Sequence, residues 1–72
     1  MRRLRLLRMQ REMTGRQLAH LADLNPSKIS ALELGRYTPA PHSVELKRVA
    51  LALGVDPGAA DTLLDEVPTD ES

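Results

Sequence analysis

The segment NPSKISALELG, from Asn25 to Gly35, decides the fold because it carries the start and stop signals of one short helix. Asn25 is a favoured N-cap residue, and Pro26 follows at the first helical position, where a missing N–H costs nothing. Ile29 and Leu32 share one side of this helix, and Gly35 is placed to end it in a left-handed conformation. A helix of about nine residues is not stable alone in water, so it requires a neighbour to pack against.

The neighbour is predicted immediately upstream, in the segment TGRQLAHLA of residues 14–22. Thr14 and Gln17 have the spacing of a capping box, which marks the start of a helix. The apolar side of this helix comprises Leu18, Ala19, Leu21 and Ala22. Only Asp23 and Leu24 separate the two helices, and Asp tolerates the left-handed conformation that a tight turn needs. Two short helices joined in this way form a helix-turn-helix unit.

Five motifs place this unit in a longer pattern of consistent order and spacing. They are LxxLR at residues 4–8, TxxQLA at 14–19, NPSKIS at 25–30, LELGR at 32–36 and PxxxxLxxVAxALGV at 41–55. With these motifs the chain resembles the lambda-repressor/Cro (XRE-type) helix-turn-helix family over roughly three quarters of its length. The resemblance implies an all-α, five-helix DNA-binding domain with its helix-turn-helix at helices 2 and 3, and with the third helix in the major groove.

Helix 1 is predicted over residues 1–13, MRRLRLLRMQREM, with Leu4 and Leu7 on its core side. The remaining surface carries Arg2, Arg3, Arg5, Arg8 and Arg11. Three interpretations of these arginines remain open. They form a basic face that lies on an anionic membrane, a solvated charged face without a partner, or a set of phosphate contacts at the edge of a DNA groove. The third interpretation fits best with the downstream unit.

Two further helices are predicted downstream. Helix 4 is expected over residues 43–53 from its apolar periodicity, and Gly54 is placed to end it. Helix 5 is expected over residues 57–66, because Asp56 and the proline after it repeat the cap-plus-proline start signal. The fifth helix is the weakest of the set, since an internal glycine lowers its helix propensity.

The ten basic and ten acidic residues cancel in number but are segregated along the chain. Residues 1–48 hold all ten Lys and Arg against four acids, which gives +6, whereas residues 56–72 hold six acids and no base, which gives −6. We therefore assign residues 1–66 to a helix-turn-helix domain and residues 67–72 to a disordered acidic tail. The alternative is that the two charged ends merely aid solubility.

Composition argues against several other classes of protein. The chain has no cysteine, and His20 and His42 are too isolated to suggest a metal site. No stretch approaches the ~18 apolar residues of a membrane span, and the N-terminus lacks the apolar core of a signal peptide. No catalytic constellation and no phosphate-binding glycine loop is visible. We therefore expect no enzyme activity, cofactor or small-molecule ligand, and a cytoplasmic, nucleoid-associated location.

The resemblance also implies which residues read base edges. The family's main reading positions fall on Pro26, Ser27 and Ala31, of which Ser bonds either kind of base edge and Ala contacts only a thymine methyl. Asn25 and Lys28 are the stronger polar candidates, with Lys28 left between a base and a phosphate. The full set of predicted DNA contacts is Arg16, Gln17, Asn25, Ser27, Lys28, Ser30, Ala31, Arg36, Tyr37 and Thr38.

Phosphate contacts are expected at two places beside the third helix. Gly15 stands where the family commonly has a glutamine, which leaves the helix N-terminal amides and Arg16 to bind phosphate. The connector after the third helix contains two prolines, so it is extended, and in the family it lies along the phosphate backbone. Arg36 and the Tyr37 hydroxyl are the expected donors there, with Thr38 behind them. Packing of Tyr37 over the connector is an equally open alternative.

Arg8 and Glu33 both border the core side of their helices, where a charge is expensive unless it is paired. The resemblance implies an ion pair between the two residues that joins helices 1 and 3. The alternative is that both side chains reach solvent separately.

Two functional classes follow from these observations. The first is a sequence-specific transcriptional regulator, a repressor that binds a near-palindromic duplex site as a weak homodimer through helix 5. The contacts of that dimer are Leu63, Leu64 and Val67. The second is a protein-interaction module on the same fold with little specific DNA binding. Its candidate contacts are Leu6, Met9, Leu34 and Leu51.

Overall fold

A computed structural model of the protein describes residues 1–68, which contain helices and no strand. The helices are α1 (Arg3–Gln10), α2 (Gly15–Ala22), α3 (Pro26–Leu34), α4 (Val44–Ala52) and a 3₁₀ helix (Pro57–Leu64). The predicted all-α, five-helix architecture is therefore confirmed. Of the tail predicted to be disordered, residues 67–72, the last four lie outside the described residues, and the Val67 N–H donates to the Met1 carbonyl at 2.8 Å.

The local signals that define the helix-turn-helix are present as predicted. The Thr14 hydroxyl accepts from the Gln17 N–H at 3.1 Å, and the Gln17 side chain accepts from the Thr14 N–H at 2.7 Å. Asp23 ends α2 in the left-handed region at φ 58°, and Gly35 ends α3 there at φ 76°. Asn25 caps α3 in an extended conformation. These short-range patterns fix where α2 and α3 begin and end.

Helix 1 is shorter than the predicted range of residues 1–13, because α1 spans only Arg3–Gln10. At its start, Arg2 is extended and forms an isolated antiparallel bridge with Glu66. At its end, Glu12 has φ 53°, a left-handed conformation that a right-handed helix does not accommodate. A contact with a distant part of the chain therefore replaces the helix at its start, whereas a local turn at Glu12 ends it.

The fifth helix, predicted over residues 57–66, is a 3₁₀ helix over Pro57–Leu64. Its start signal works as expected, since the Asp56 side chain accepts from the Gly58 N–H at 3.0 Å. Ala59 departs from helical geometry at φ −105° and ψ 17°, so the helix is kinked. The low propensity of Gly58 and the short length favour the tighter 3₁₀ winding.

The core is built from aliphatic side chains of every helix. Its fully buried members are Leu4, Leu18, Ala19, Ala22, Ile29, Leu32, Leu46, Val49, Ala50, Leu53, Ala60 and Leu63. The helix α2 packs against both α3 and α4, and α4 packs against the 3₁₀ helix. One member of the predicted apolar side of α2, Leu21, is instead 59% exposed. This packing buries one side of α3 and leaves its other side at the surface.

Candidate nucleic-acid interface

The exposed side of α3 begins with Pro26 and carries two serines. Ser27 and Ser30 are exposed, and no hydrogen bond within residues 1–68 engages either hydroxyl. Ala31 is half-buried, so only part of its methyl group is accessible. A serine hydroxyl both donates and accepts, so these two groups can hydrogen-bond to either kind of base edge.

Asn25 lies at the start of α3, but its side chain is already in use. Its carbonyl oxygen accepts from the Ser27 N–H at 2.8 Å, which caps the helix. The bidentate contact of Asn with adenine requires both the carbonyl oxygen and the amide nitrogen of the side chain. As long as the cap is intact, Asn25 offers DNA only the amide N–H groups.

Lys28 and Tyr37, both predicted to contact DNA, are joined to Glu45 at the start of α4. The Lys28 ammonium lies 2.5 Å from one carboxylate oxygen of Glu45, and the Tyr37 hydroxyl donates to the other at 2.8 Å. The same ammonium lies 4.9 Å from the centre of the Tyr37 ring, within range of a cation–π interaction. The three side chains form a single cluster, which we call the Glu45 cluster.

The titration behaviour of the Glu45 cluster reflects these contacts. The Lys28 hydrogen bond and then the Tyr37 hydrogen bond hold the pKa of Glu45 below its ordinary value. The hydrogen bond to Glu45 raises the pKa of Lys28 and likewise raises the pKa of Tyr37. At neutral pH the cluster therefore contains one cation and one anion in direct contact, with no net charge.

Arg2 holds the connector after α3 from the opposite side, a role that sequence reasoning did not assign to it. Its guanidinium donates to the carbonyl oxygens of Leu32 and Tyr37, both at 3.1 Å, and to the Thr38 hydroxyl at 2.9 Å. The last turn of α3 contains no basic residue, so none of its own side chains donates to the carbonyl groups at this helix end. The absence of a basic residue from this turn is a sequence signal that another part of the chain could supply donors. It does not say which of the five arginines in residues 1–11 does so. Thr38 thus accepts from Arg2 rather than standing free behind the connector.

A groove opens between the start of α2 and the exposed side of α3. It is lined by Thr14, Gly15, Arg16, Pro26, Ile29, Ser30 and Glu33. The capping box uses the Gln17 N–H and the Gln17 side-chain oxygen, so Gln17 serves the helix start. The N–H groups of Gly15 and Arg16 make no hydrogen bond within residues 1–68. Unpaired amides at a helix start form an anion-binding site, and a phosphate fits that chemistry.

The groove also contains the carboxylate of Glu33, which would repel phosphate if its charge were uncompensated. Arg8 neutralises it, with its Nε 2.5 Å from one Glu33 oxygen and its Nη2 3.1 Å from the other. The structure therefore brings the predicted pair together between α1 and α3. Only 17% of the Arg8 side chain and 9% of the Glu33 side chain are exposed.

The other cations of the predicted site are Arg16 on α2 and Arg36 after α3. Both side chains are exposed, and no hydrogen bond or ion pair within residues 1–68 engages either guanidinium. Because Lys28 is paired with Glu45, Arg16 and Arg36 are the two predicted DNA contacts that carry an uncompensated positive charge. Arg36 follows α3 in the sequence, and Arg16 lies across the groove from α3.

The five arginines in and directly beside α1 divide into two groups. Arg2 and Arg8 hold other parts of the protein together, whereas Arg3, Arg5 and Arg11 are exposed. Phosphate contact by the exposed three remains a prediction. Within residues 1–68 no helix is long and apolar enough to span a membrane, and no group of three metal-ligating side chains occurs.

Comparison with known proteins is consistent with this geometry. The sequence model of a family described as a helix-turn-helix domain matches residues 1–66. No curated protein and no solved structure matches the chain. The match therefore covers all five helices and the whole groove.

Proposed function

We propose, from the premise that the chain belongs to the helix-turn-helix domain family, that it is a transcriptional regulator that binds duplex DNA sequence-specifically. It acts as a repressor, bound as a dimer to a near-palindromic site in the cytoplasm, where it associates with the nucleoid. In this proposal α3 enters the major groove and the groove beside α2 receives a phosphate.

The observation that carries the proposal is the pair of free serine hydroxyls on the exposed side of α3. Ser27 and Ser30 lie one turn apart on the same side of the helix, with their hydroxyls unengaged by residues 1–68. In the sequence, Arg16 precedes α3 and Arg36 follows it. A row of short hydrogen-bonding groups flanked by free cations suits a helix that reads bases while its neighbours hold phosphates.

Phosphate binding rests on three groups in each protomer. They are the guanidinium groups of Arg16 and Arg36 and the unpaired N–H groups at the start of α2. Lys28, Tyr37 and Thr38, which the sequence also suggested, instead fix the position of the connector through their contacts within the protein. The predicted site thus separates into groups that face DNA and groups that position them.

The protein–protein contact in the proposed dimer is small. The 3₁₀ helix was expected to offer Leu63 and Leu64, but Leu63 is fully buried in the core. Leu64 and Val67 are only half-buried and provide a small apolar patch. Dimers therefore form mainly on DNA, where two half-sites about 34 Å apart place both copies of α3 in successive major grooves.

Selection of bound sequences from a random duplex pool tests this function. The expected result is a site with two related halves whose centres lie one DNA turn apart. Ser27→Ala should relax the preference at one base position, with a loss of ~1 kcal/mol at the selected site and no loss on random duplex. Gln10→Ala, an exposed change on α1, serves as the matched control. Recovery of no enriched sequence would contradict the proposal.

A second candidate is the protein-interaction module, which is favoured by exposed aliphatic side chains. Leu34 at the end of α3 is 53% exposed, Leu51 on α4 is 64% exposed and Met9 on α1 is 49% exposed, whereas Leu6 is half-buried. These side chains lie on different helices, and scattered exposed apolar residues are common. DNA binding that does not change between low and moderate salt would favour this candidate over the first.

A further inference from the structure

The recognition helix α3 contains two charged residues, and each is paired with a residue of another helix. Lys28 is its only Lys or Arg, and Glu33 is its only acid. Lys28 contacts Glu45 of α4, while Glu33 contacts Arg8 of α1. The helix therefore presents its surface without an uncompensated charge, although the DNA that it approaches is strongly anionic.

Glu45 is held as an anion from several directions. It receives hydrogen bonds from Lys28 and Tyr37, and it lies in the first turn of α4, where the helix dipole favours negative charge. Arg48 of the same helix adds a further favourable interaction. The carboxylate is thus a fixed partner that remains ionised at neutral pH, because its pKa is held below its ordinary value.

The pair of Lys28 and Glu45 lies at the surface rather than in the core. The Lys28 side chain is 37% exposed and that of Glu45 is 26% exposed. Solvent, and therefore a phosphate, can reach the ammonium if the carboxylate releases it. An ammonium that stays paired with a carboxylate neutralises no phosphate and displaces no counterion from the DNA, so it adds little to sequence-independent DNA affinity.

We propose that Glu45 suppresses sequence-independent DNA binding by neutralising Lys28, the only cation of the recognition helix. This inference rests on the proposed function and identifies a residue outside the predicted DNA contacts that regulates them. With Lys28 neutralised, α3 meets the duplex with the hydroxyls of Ser27 and Ser30. Competition from the many non-specific sites of a genome is thereby reduced.

Glu45→Gln is the decisive variant because it removes the charge and preserves the shape. The glutamine oxygen can still accept from the Tyr37 hydroxyl, whereas its amide group no longer attracts Lys28. Affinity for random duplex should rise about eightfold per protomer at 0.1 M salt, and the log–log salt slope should steepen by about 0.9 per protomer. Asp65→Asn, an exposed change of equal charge after the 3₁₀ helix, is the control and should leave both quantities unchanged.

The double variant Lys28→Met/Glu45→Gln distinguishes a silent pair from a DNA contact. If the pair is electrostatically silent, the double variant binds random duplex with the affinity and salt slope of the parent. A loss of more than about fivefold, or a shallower slope, means that Lys28 touches DNA despite Glu45 and overturns the proposal. Equal binding by Glu45→Gln and the parent overturns it as well. Thermal unfolding followed by circular dichroism verifies that each variant is folded.

Titration of the Glu45 carboxyl group by NMR, without DNA, tests the pairing separately. Lys28→Met should raise the pKa of Glu45 toward its ordinary value, and an unchanged pKa would refute the pair itself. If the parent binds no duplex at low salt, the proposed function and this inference both fail, even when the titration shows the pair. If the parent binds DNA and the variants bind alike, only this inference fails.

Discussion

Replacing Glu33 with alanine should destabilise the fold, because it leaves the Arg8 guanidinium without its main partner. Arg8 donates twice to Glu33, through Nε at 2.5 Å and Nη2 at 3.1 Å, and once to the Met13 carbonyl through Nη1 at 2.7 Å. The substitution removes two charge-assisted hydrogen bonds and leaves the third. The remaining charge is 17% exposed, so water replaces the lost partners only in part.

The magnitude follows from two limits. Breaking a fully buried ion pair by removing one partner costs about 3–5 kcal/mol, whereas an exposed pair contributes about 0–1 kcal/mol. Glu33 is almost buried, but Arg8 keeps one hydrogen bond and some access to water. We therefore expect the free energy of unfolding to fall by about 3 kcal/mol. For a domain of this size that change lowers Tm by about 12–24 °C.

Thermal and urea unfolding, both followed by circular dichroism, measure this effect. Asp65→Ala is a control, since it also removes one carboxylate, but this carboxylate is exposed and makes no side-chain hydrogen bond within residues 1–68. Arg8→Met/Glu33→Met should recover about 1 kcal/mol or more relative to Glu33→Ala, because no charge is then left unpaired. A Glu33→Ala variant with the Tm of the parent would refute the reasoning. It would mean that the Met13 carbonyl and water satisfy Arg8 without Glu33.

Three further predictions concern DNA binding and pH. A dimer that binds through Arg16 and Arg36 should show a slope near ~−3.6 in a plot of log binding constant against log salt concentration, as measured by fluorescence anisotropy. Alanine at either position should make this slope shallower by about 1.8. Gly15→Gln should increase duplex affinity at least several-fold in the same assay, because a Cβ at Gly15 meets no atom within 4 Å and the longer side chain adds a phosphate donor. Lys28 lowers the pKa of Glu45 on folding, so this pair stabilises the protein at pH values above the ordinary carboxyl pKa. The stabilisation is lost as the pH falls through the lower pKa that Glu45 has in the folded protein. Unfolding experiments between about pH 6 and about pH 3 should therefore show a smaller acid-induced loss for Glu45→Gln than for the parent.

Sequence reasoning succeeded where the interactions are local. The capping box of Thr14 and Gln17, the left-handed turn at Asp23 and the cap at Asn25 each involve residues no more than five positions apart. Their geometry is dictated by the backbone of one helix end, so residue type and spacing suffice to predict it. The same locality explains why the boundaries of α2 and α3 were predicted well.

Sequence reasoning failed where a side chain chooses between distant partners. Arg2 lies 30 or more positions from the carbonyl and hydroxyl groups that it holds, and Lys28 lies 17 positions from Glu45. Residue type alone suggested a phosphate contact for Arg2 and a base or phosphate contact for Lys28, and these contacts remain predictions. It did not reveal the partners within the protein, because an exposed Lys or Arg has the same pattern whether its partner is DNA or a carboxylate. The buried position of Leu63 was missed for a related reason, since the 3₁₀ winding decides which side of the segment faces the core.

Arg2 and Lys28 act together on the connector that carries Arg36. Arg2 binds the backbone of this connector at Tyr37, and Lys28 reaches the side chain of the same tyrosine through Glu45. Tyr37 is therefore fixed at both its carbonyl and its hydroxyl, and Arg36 precedes it directly. Holding a binding loop in one conformation reduces the entropy lost when it binds. The contacts of Arg2 and Lys28 within the protein thus favour binding by positioning Arg36, the one cation of this connector.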